Sequence, residues 1–407
     1  MACLYICYQS VREPLSETQV VAYLEGLALV GYRTILLTFE PRPLSLEETA
    51  TWRERLAAKG IAWYWLRYHK RPTVPATGWD VLAGIATGLR LIRKYHVRLV
   101  HARCHVPGLM ALVLKYLTGV KFLFDVRGFM AEEYVDGGVW PAQGALFRLT
   151  KWVERRLVRG ADGIVVLTEA AKRLFQDWYT AEIRRKPVEV IPCCVDFRGL
   201  PIRPPGRRGQ LAAGAGRTIA YAGKLGGWYP VAAIVDFLRV TAEVSPQLAL
   251  QVWTQSDAAE LRRQVTKLGL DALISIGCVA PEMVPQKLAA ADAGLCLYAR
   301  NSSKACCSPT KVGEYLAAGL PVICSSGIGD TDALLSGESA QQGAQIGVCV
   351  ADLSETAYRA VLPRLLDLIN DPVTPQRCRA AAAKYFDLEK VGWPRYRAVY
   401  RALLGEG

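Results

Sequence analysis

The chain has 407 residues, of which 51% are hydrophobic and 21% are charged, and its formal net charge is +13. A chain of this length is expected to form two domains of ordinary size, each with its own apolar core. The sequence has no apolar run of the roughly 20 residues that span a membrane, and no nucleic-acid-binding motif accompanies the positive charge, so neither a membrane span nor a nucleic-acid partner is predicted.

The first half of the chain alternates short apolar strands with longer helical stretches. It opens with a strand over Leu4–Tyr8 that no basic segment precedes, which argues against a signal peptide and predicts a cytosolic protein. A helix is predicted over 16–30, with Ser16 and Gln19 as its capping box and Gly31 after its end. Further strands are predicted at 35–38, 99–101, 122–124, 164–166 and 188–191. Such alternation is typical of a parallel, doubly wound α/β sheet.

Polar side chains follow two of these strands at the carboxyl ends, where ligands collect in open α/β sheets. After one strand come three basic candidates for ligand binding, each with a structural role equally open: His101, Arg103 and His105. After the next strand, Asp125 can orient the guanidinium of Arg127, whose charge would stabilise an anion. Three carboxylates can accept hydrogen bonds from hydroxyl groups of a ligand: Glu132, Glu133 and Asp136. The alternative is an Arg–carboxylate network that only holds this loop.

Two stretches of the first half, 63–71 and 147–157, combine basic and aromatic residues. The second has apolar residues at helical spacing with arginines between them, as helices at a membrane surface do, although ordinary surface helices share this pattern. Residues 1–198 hold 28 Lys and Arg against 19 Asp and Glu, and the remainder holds 22 against 18. This uneven charge favours an anionic membrane surface or a pyrophosphate-linked acceptor as partner.

The linker between the two predicted domains, 1–198 and 218–392, is placed at 199–217. This segment is rich in Pro, Gly and Arg and lacks periodicity. Strands of the second half are predicted at 218–221, 248–252, 273–276, 293–297 and 322–324.

A glycine-rich loop, Gly223-Lys224-Leu225-Gly226-Gly227, follows the first strand of the second half. Gly223 and Gly226 permit close approach of the backbone to a ligand, and Lys224 supplies positive charge. The alternative is a plain turn with a solvated lysine.

No metal or cofactor is expected. The motif Asp330-Thr331-Asp332 has the spacing of some metal sites, but helix capping over 332–335 is the preferred interpretation. The twelve cysteines lack zinc or redox spacing and are expected to be reduced and mostly buried. Cys306 could act as a nucleophile, but no histidine lies near it in the sequence.

The segment Ser308–Ile323, SPTKVGEYLAAGLPVI, carries the strongest functional signal. Its helix opens at Lys311, and the free N–H groups of a helix N-terminus bind phosphate oxygens. Lys311 adds a full charge, and Glu314, one turn further, can accept hydrogen bonds from two ribose hydroxyls. These features predict a nucleoside diphosphate site, with an ordinary solvated helix start as the alternative.

This segment resembles the donor-binding segment of the retaining glycosyltransferases of family 4, particularly members with the pattern SPTK..EYLA.G.PV. The resemblance implies a GT-B fold, in which two Rossmann-like doubly wound parallel-sheet domains face a central cleft and a C-terminal helix, 393–407, packs back on the first domain. Lys224 and Lys311 would bracket the diphosphate of a nucleotide-sugar donor, which fixed charges can stabilise without a metal. Arg127 aligns with a position that contacts the donor near its sugar and phosphate.

The chain departs from the family pattern at two places. Cys306 stands where the family has a sugar-binding glutamate, so Ser308, Thr310 and the backbone of 306–309 are expected to contact the sugar. Trp228 and Tyr229 stand where many members carry a second basic residue. No third cation is therefore expected there.

The loop 277–282, with Val279, resembles the family loop whose backbone contacts the nucleotide base. The function implied is retaining transfer of a hexose-type sugar to a hydroxyl of a glycan, including a lipid-linked one, by front-face attack. The leaving phosphate assists removal of the acceptor proton, and Glu133 positions the acceptor. The other acceptor-side candidates are Glu132, Asp136, His101, Arg103 and His105. Two alternatives stay open: a sugar-nucleotide epimerase, or a noncatalytic sugar-nucleotide or glycan binder that the missing glutamate would explain.

Overall fold

The chain divides into two units, each built on its own parallel sheet. The computed structural model describes residues 1–204, 216–299, 301–338 and 344–405. Unit 1 comprises Met1–Pro192 and Leu388–Gly407, and unit 2 comprises Cys193–Asp387. The predicted class, two doubly wound α/β domains, is confirmed.

The sheet of unit 1 has seven strands, all paired in parallel. They are β1 Ala2–Cys7, β2 Arg33–Glu40, β3 Ile61–Arg67, β4 Val97–Arg103, β5 Lys121–Asp125, β6 Gly163–Val166 and β7 Val188–Val190. Their order is β3-β2-β1-β4-β5-β6-β7. The central strand β1 is buried along its whole length, which explains its continuous apolar run.

Nine helices connect these strands among the residues described before Pro192. They are α1 Pro14–Ser16, α2 Ala22–Leu29, α3 Leu46–Ala57, α4 Thr73–Tyr95, α5 His105–Thr118, α6 Met130–Asp136, α7 Ala145–Gly160, α8 Glu169–Trp178 and α9 Thr180–Ile183. A π-helical turn, Glu17–Val21, joins α1 to α2.

The predicted capping box at Ser16 and Gln19 is wrong. The first helix begins at Pro14, so Ser16 lies inside it and its Oγ has no hydrogen-bond partner among the described residues. Proline is well suited to a first helical position because its φ is already helical and its missing N–H is not needed there. Gly31 does follow the helix, with φ +92°.

The aromatic stretch 63–71 largely forms an edge strand, β3, that the sequence did not predict. Trp63 is buried and its Nε1 donates to Thr38 Oγ1 at 2.9 Å. Tyr64 OH lies 2.5 Å from Tyr95 OH. These aromatic side chains therefore pack on their own unit, and this stretch no longer supports a membrane-binding role.

The sheet of unit 2 has six parallel strands. They are β8 Arg217–Ala222, β9 Leu248–Trp253, β10 Ile274–Gly277, β11 Ala293–Cys296, β12 Val322–Ser325 and β13 Gly347–Val350, in the order β10-β9-β8-β11-β12-β13. Strand β13 was not predicted. It forms one edge of the sheet.

Seven α-helices of unit 2 lie within the described residues: α10 Val231–Val244, α11 Ala259–Lys267, α12 Val284–Ala289, α13 Thr310–Ala317, α14 Thr331–Ser336, α15 Glu355–Asn370 and α16 Thr374–Tyr385. Short 3₁₀ turns cover Asp271–Leu273, Pro281–Met283 and Ser302–Cys306. In the described parts of the chain, no helix combines the length and apolar character needed to cross a membrane.

The boundary between the units lies a few residues before the predicted linker. Residues 193–204 belong to unit 2 because Val195 bridges to Asp387 and the buried Arg203 pairs with Asp292 at 2.7 Å. Most of the predicted linker, 205–215, lies outside the described residues.

The last helix, α17 Trp393–Leu404, is part of unit 1 together with the π-helical turn Leu388–Gly392 before it. Trp393 Nε1 donates to Ala22 O at 2.9 Å. The indole occupies the space that a Cβ on Gly26 would need, 2.3 Å away. Any larger residue at position 26 would therefore displace this helix.

Candidate functional site

The loops of unit 2 that carry the predicted donor residues meet at one edge of the sheet. The strand order reverses between β8 and β11, and ligand sites in open α/β sheets lie at such a reversal, outside the carboxyl ends of the strands. Tyr229 OH, after β8, lies 2.9 Å from Tyr298 OH, after β11. Helix α13 joins them because Ala222 N donates to Tyr315 OH at 2.9 Å.

Lys311, on the first turn of α13, is buried beside this junction. Lys311 is only 7% exposed. Its Nζ lies 3.9 Å from the ring centre of Tyr229 and 4.2 Å from that of Tyr221. Nζ has no hydrogen-bond partner among the described residues. Burial lowers the pKa of Lys311 below its ordinary value. The ammonium thus contacts two aromatic rings, and its N–H groups can donate hydrogen bonds to a ligand.

The glycine-rich loop leaves room around that ammonium. Gly223 has φ +138°, and a Cβ there would lie 3.1 Å from Lys311 Nζ. Gly226 pairs with Tyr229 in a tight turn, and its φ of +83° also suits only glycine. Lys224 is exposed, while its carbonyl accepts a hydrogen bond from Tyr221 OH.

A third cation lies at this junction, contrary to the sequence-based expectation. Lys304, in the turn Ser302–Cys306, has Nζ 3.5 Å from the ring centre of Trp228 and is 4% exposed. The expectation rested on the aromatic residues that follow the glycine loop, and it failed because a lysine from another loop lies on one of them. A single lysine in a polar loop gives no sequence signal for this.

Glu314 and the residues before α13 occupy different environments. Glu314 is half-buried on the helix, and burial raises its pKa. Ser308 Oγ accepts from Cys193 N at 3.1 Å, and Cys306 Sγ donates to Ser303 O at 3.2 Å. These two side chains hold the turn before the helix, and Thr310 is the first helical residue. A nucleophilic Cys306 is disfavoured by this arrangement.

The loop after β10 carries the residues predicted to contact the base. Thr254 N donates to Gly277 O at 2.9 Å, which continues the pairing of β9 and β10 to the strand end. Beyond it Cys278 is exposed and Val279 is half-buried against the unit 2 core. Contact of Val279 with a base stays a prediction.

The Asp-x-Asp motif holds its own loop. Asp330 precedes α14 but makes no side-chain capping bond, so the predicted cap is corrected. Asp332 Oδ2 instead accepts from Ser326 Oγ at 3.0 Å and from Gly327 N at 2.9 Å. The described residues include no group of three or more metal-ligating side chains.

In unit 1, the buried carboxylate of Asp125 stands at the end of β5, amid three basic side chains and two tyrosines. The nearest approaches are 3.4 Å from His101, 4.0 Å from Arg103, 3.6 Å from Arg127, 3.5 Å from Tyr5 and 3.2 Å from Tyr396. Burial alone would raise the pKa of Asp125, but the neighbouring Arg127, His101 and Arg103 outweigh it and hold the pKa well below its ordinary value.

The two basic residues near the end of β4, His101 and Arg103, are interior groups. His101 is 1% exposed, its Nδ1 lies 3.0 Å from Tyr400 OH of α17, and burial lowers its pKa. Arg103 is 6% exposed and donates to Gln19 O at 3.4 Å. Their positions favour the structural alternative over contact with an acceptor.

A second buried carboxylate, Glu154 of α7, organises another cluster of unit 1. His105 Nε2 donates to it at 2.8 Å, Lys151 Nζ lies 2.5 Å away and Tyr179 OH also donates to it. Burial would raise the pKa of Glu154, but the hydrogen bond and charge of His105, with Lys151, lower it to about 2. Lys151 also reaches Glu132 at 2.9 Å.

A cavity of about 540 Å³ opens beside this cluster. Its walls are three aromatic and three charged residues: Trp152, Trp178, Tyr179, Glu132, Lys151 and Arg155. Of the acceptor-side candidates among the described residues, only Glu132 lines it. Glu133 and Asp136 are half-buried on α6, and a Cβ on Gly128 would meet Glu133 Oε1 at 2.3 Å.

Residues 16–194 match the family model described as a glycosyl transferase 4-like domain. No curated protein matches the chain in sequence.

Solved structures match both halves of the chain. Sucrose-phosphate synthase from Thermosynechococcus elongatus is 18% identical with a TM-score of 0.73, covering 100% of both chains. HepE from Anabaena, solved in complex with UDP-glucose, is 14% identical with a TM-score of 0.65, covering 100% of both. WaaG, a glycosyltransferase involved in lipopolysaccharide biosynthesis, is 14% identical with a TM-score of 0.63, covering 99% of this chain and 100% of that one. The chain thus has the GT-B fold that the motif resemblance implied.

Proposed function

We propose that the protein is a retaining glycosyltransferase that moves a hexose-type sugar from a nucleoside diphosphate donor to an acceptor hydroxyl. The observation that carries the proposal is Lys311, a buried ammonium without a hydrogen-bond partner in the described residues, at the N-terminus of an eight-residue helix. Helix N–H groups and a cation together bind phosphate. The family-model match over 16–194 and the fold support transfer as the reaction class.

The donor site uses the residues that unit 2 brings together. Lys311 and the helix start bind the diphosphate, Gly223 and Gly226 let the backbone approach it, and Glu314 accepts the ribose hydroxyls. Lys224 contributes an exposed charge. HepE, which shares the fold, was solved with UDP-glucose, so UDP is the first nucleotide to test.

Transfer would proceed on one face of the sugar. The acceptor oxygen bonds to the anomeric carbon while the bond from that carbon to the diphosphate oxygen breaks, and the electron pair stays on the diphosphate. The acceptor proton passes to that phosphate oxygen. Fixed ammonium groups and the helix dipole stabilise the developing charge, so the proposed reaction requires no metal. Asp125 orients Arg127, and Glu133 positions the acceptor.

The acceptor we propose is a glycan, including a lipid-linked one. The cavity beside Glu132 combines aromatic surfaces with carboxylate and basic groups, which suits a sugar ring. Exposed apolar residues of α7 adjoin it in sequence: Leu146 is 44% exposed, Leu149 54% and Trp152 56%. With the arginines of the same helix, they suit the surface of an anionic membrane.

The membrane proposal is tested by flotation with vesicles of phosphatidylglycerol or of phosphatidylcholine alone. Binding to the anionic vesicles should fall in Trp152→Ala and persist in Trp79→Ala, a matched change at a tryptophan 63% exposed on α4. Equal recovery of the wild-type protein with both vesicle types would remove this partner.

The function itself is tested by thermal shift and transfer. UDP, GDP, ADP and their common sugar conjugates are added with and without EDTA, and the specific ligand should raise the melting temperature as its concentration increases. Release of the nucleoside diphosphate that depends on added glycan would support transfer. Binding without release would favour the noncatalytic binder, conversion of the donor without acceptor would favour the epimerase, and activity lost in EDTA would contradict metal independence.

A further inference from the structure

The side chain of Lys304 has no role in the donor site described so far. It projects from the turn Ser302–Cys306 onto the indole of Trp228, with Nζ 3.5 Å from the ring centre. The next residue along the chain, Tyr229, carries Lys311 Nζ at 3.9 Å from its own ring centre. Two buried lysines, 4% and 7% exposed, therefore lie on consecutive aromatic residues.

The backbone on both sides fixes this arrangement. Lys304 O accepts from Gly329 N at 2.9 Å, which ties the turn to the loop before α14. Trp228 O accepts from Ala299 N at 3.0 Å, which ties the aromatic pair to the segment after β11. The backbones that carry the lysine and the indole are thus anchored independently of each other.

No carboxylate is bonded to either lysine among the residues the structure describes. The acidic side chain that acts on Lys311 at longer range is Glu314, one turn along α13. A desolvated cation–π contact offsets only part of the cost of burying an ammonium. The N-terminus of α13, whose cap residue Pro309 makes no side-chain capping bond, adds partial positive charge. All three features favour an anion with more than one negative charge.

We propose that Lys304 is a diphosphate-binding residue of the donor site. Its ammonium takes the place of the basic residue that the loop after β8 lacks at Trp228 and Tyr229. Lys311 and Lys304 then contact phosphate oxygens of the same nucleoside diphosphate, with Trp228 holding Lys304 in position. This inference rests on the proposed function, because it assigns a further residue to the same site.

The test compares nucleotides that differ only in their phosphates. Dissociation constants are measured by calorimetry for UDP and uridine, and for the GDP and ADP pairs if UDP does not bind. Lys304→Gln should weaken diphosphate binding about tenfold or more, because a hydrogen bond to a charged group is lost, while nucleoside binding changes less than twofold. Lys304→Arg should retain most of the affinity. Lys287→Gln, at an exposed lysine of α12, is the matched control and should behave as wild type.

Two results would overturn the inference while the proposed function stands. Lys304→Gln could bind the diphosphate within twofold of wild type while Lys311→Met loses affinity, or it could lose diphosphate and nucleoside affinity equally, which indicates a structural role. If the wild-type protein binds no nucleoside diphosphate at all, the proposed function fails and the inference with it.

Discussion

Two clusters of buried cations differ in their surroundings: the cluster around Asp125 in unit 1 encloses a carboxylate, whereas the lysine pair of unit 2 lies on aromatic rings. Asp125 has basic groups of three residues within 4.0 Å: His101, Arg103 and Arg127. The lysine pair of unit 2, Lys304 and Lys311, has rings at 3.5 and 3.9 Å instead. A cluster that contains its own counter-charge is suited to holding loops together. The lysine pair, to which no carboxylate is bonded in the part of the chain described, is suited to binding an anion from outside.

The comparison separates two kinds of charged residue that look alike in sequence. Asp125 and Arg127 are two positions apart at the end of β5, and Lys311 and Glu314 are three positions apart near the start of α13. Each pair combines a basic and an acidic residue at the carboxyl edge of a sheet. Only the surroundings of each group, contributed by distant segments, show which charge is balanced.

The largest effect is expected for Asp125→Asn. Removing this charge leaves three basic groups buried around a neutral amide, and breaking a buried ion pair in this way costs about 3–5 kcal/mol. The free energy of unfolding, from urea titration monitored by circular dichroism, should fall by that amount. Asp177→Asn, at an exposed aspartate of α8, should change it by less than about 0.5 kcal/mol. A loss below about 1 kcal/mol in Asp125→Asn would show that the cluster does not stabilise unit 1.

The same carboxylate makes a prediction about pH. The pKa of Asp125 is lower in the folded protein than its ordinary value near 4. Its ionised carboxylate therefore stabilises the folded state fully above about pH 5, and this stabilisation is lost as the pH falls below the ordinary value and through the lowered pKa. The difference in stability between wild type and Asp125→Asn should therefore shrink on acidification. A difference independent of pH would contradict the charge-based explanation.

Lys311→Met should lower ligand affinity and leave the stability of the protein nearly unchanged. Methionine fills similar space without a charge, so the stability of the nucleotide-free protein should stay within about 1 kcal/mol of wild type or rise. Affinity for UDP, or for whichever diphosphate binds, should fall about 10- to 100-fold. Calorimetry and urea titration of the same preparation test both parts. Loss of stability with unchanged affinity would make Lys311 a structural residue and erase the contrast with Asp125.

The parallel sheets were predictable because strands buried on both faces have continuous apolar runs, as in Ala2–Cys7. Edges were harder. The edge strand Ile61–Arg67 has three consecutive aromatic residues and ends in an arginine, so it lacks the aliphatic run that marks the central strands. The other missed strand, Gly347–Val350, is also an edge strand.

The donor-site residues of α13 were predictable because helix start, lysine and glutamate lie within one short segment. Lys304 and its indole were not, because they belong to segments far apart in the sequence that meet only when β8 and β11 become neighbours. The same holds for Glu154, whose partners His105 and Tyr179 come from other helices or their ends.

Glu314→Gln should lower affinity for a sugar nucleotide about tenfold and change its pH dependence. Burial raises the pKa of Glu314, and ribose hydroxyls donate to the ionised carboxylate, so wild-type affinity should rise as pH increases through that raised pKa, above 4.5. UDP-glucose is the suitable ligand, because its diphosphate does not titrate in this range. Binding by Glu314→Gln should be flat with pH. A rise of equal size in both proteins would assign the titration to another group.

The smallest effect is expected for Lys224→Gln, the exposed lysine of the same site. Because water and salt screen an exposed charge, its loss should weaken diphosphate binding only about two- to fivefold at low salt, and the difference should vanish near 0.5 M NaCl. The buried lysines should behave otherwise, because Lys311→Met and Lys304→Gln would keep most of their deficit at that salt concentration. Affinities of the three variants measured along one salt series therefore test whether burial, rather than the number of cations, determines the strength of the site. A deficit of Lys224→Gln as large and as salt-resistant as that of Lys311→Met would show that Lys224 is drawn into the site when the nucleotide binds.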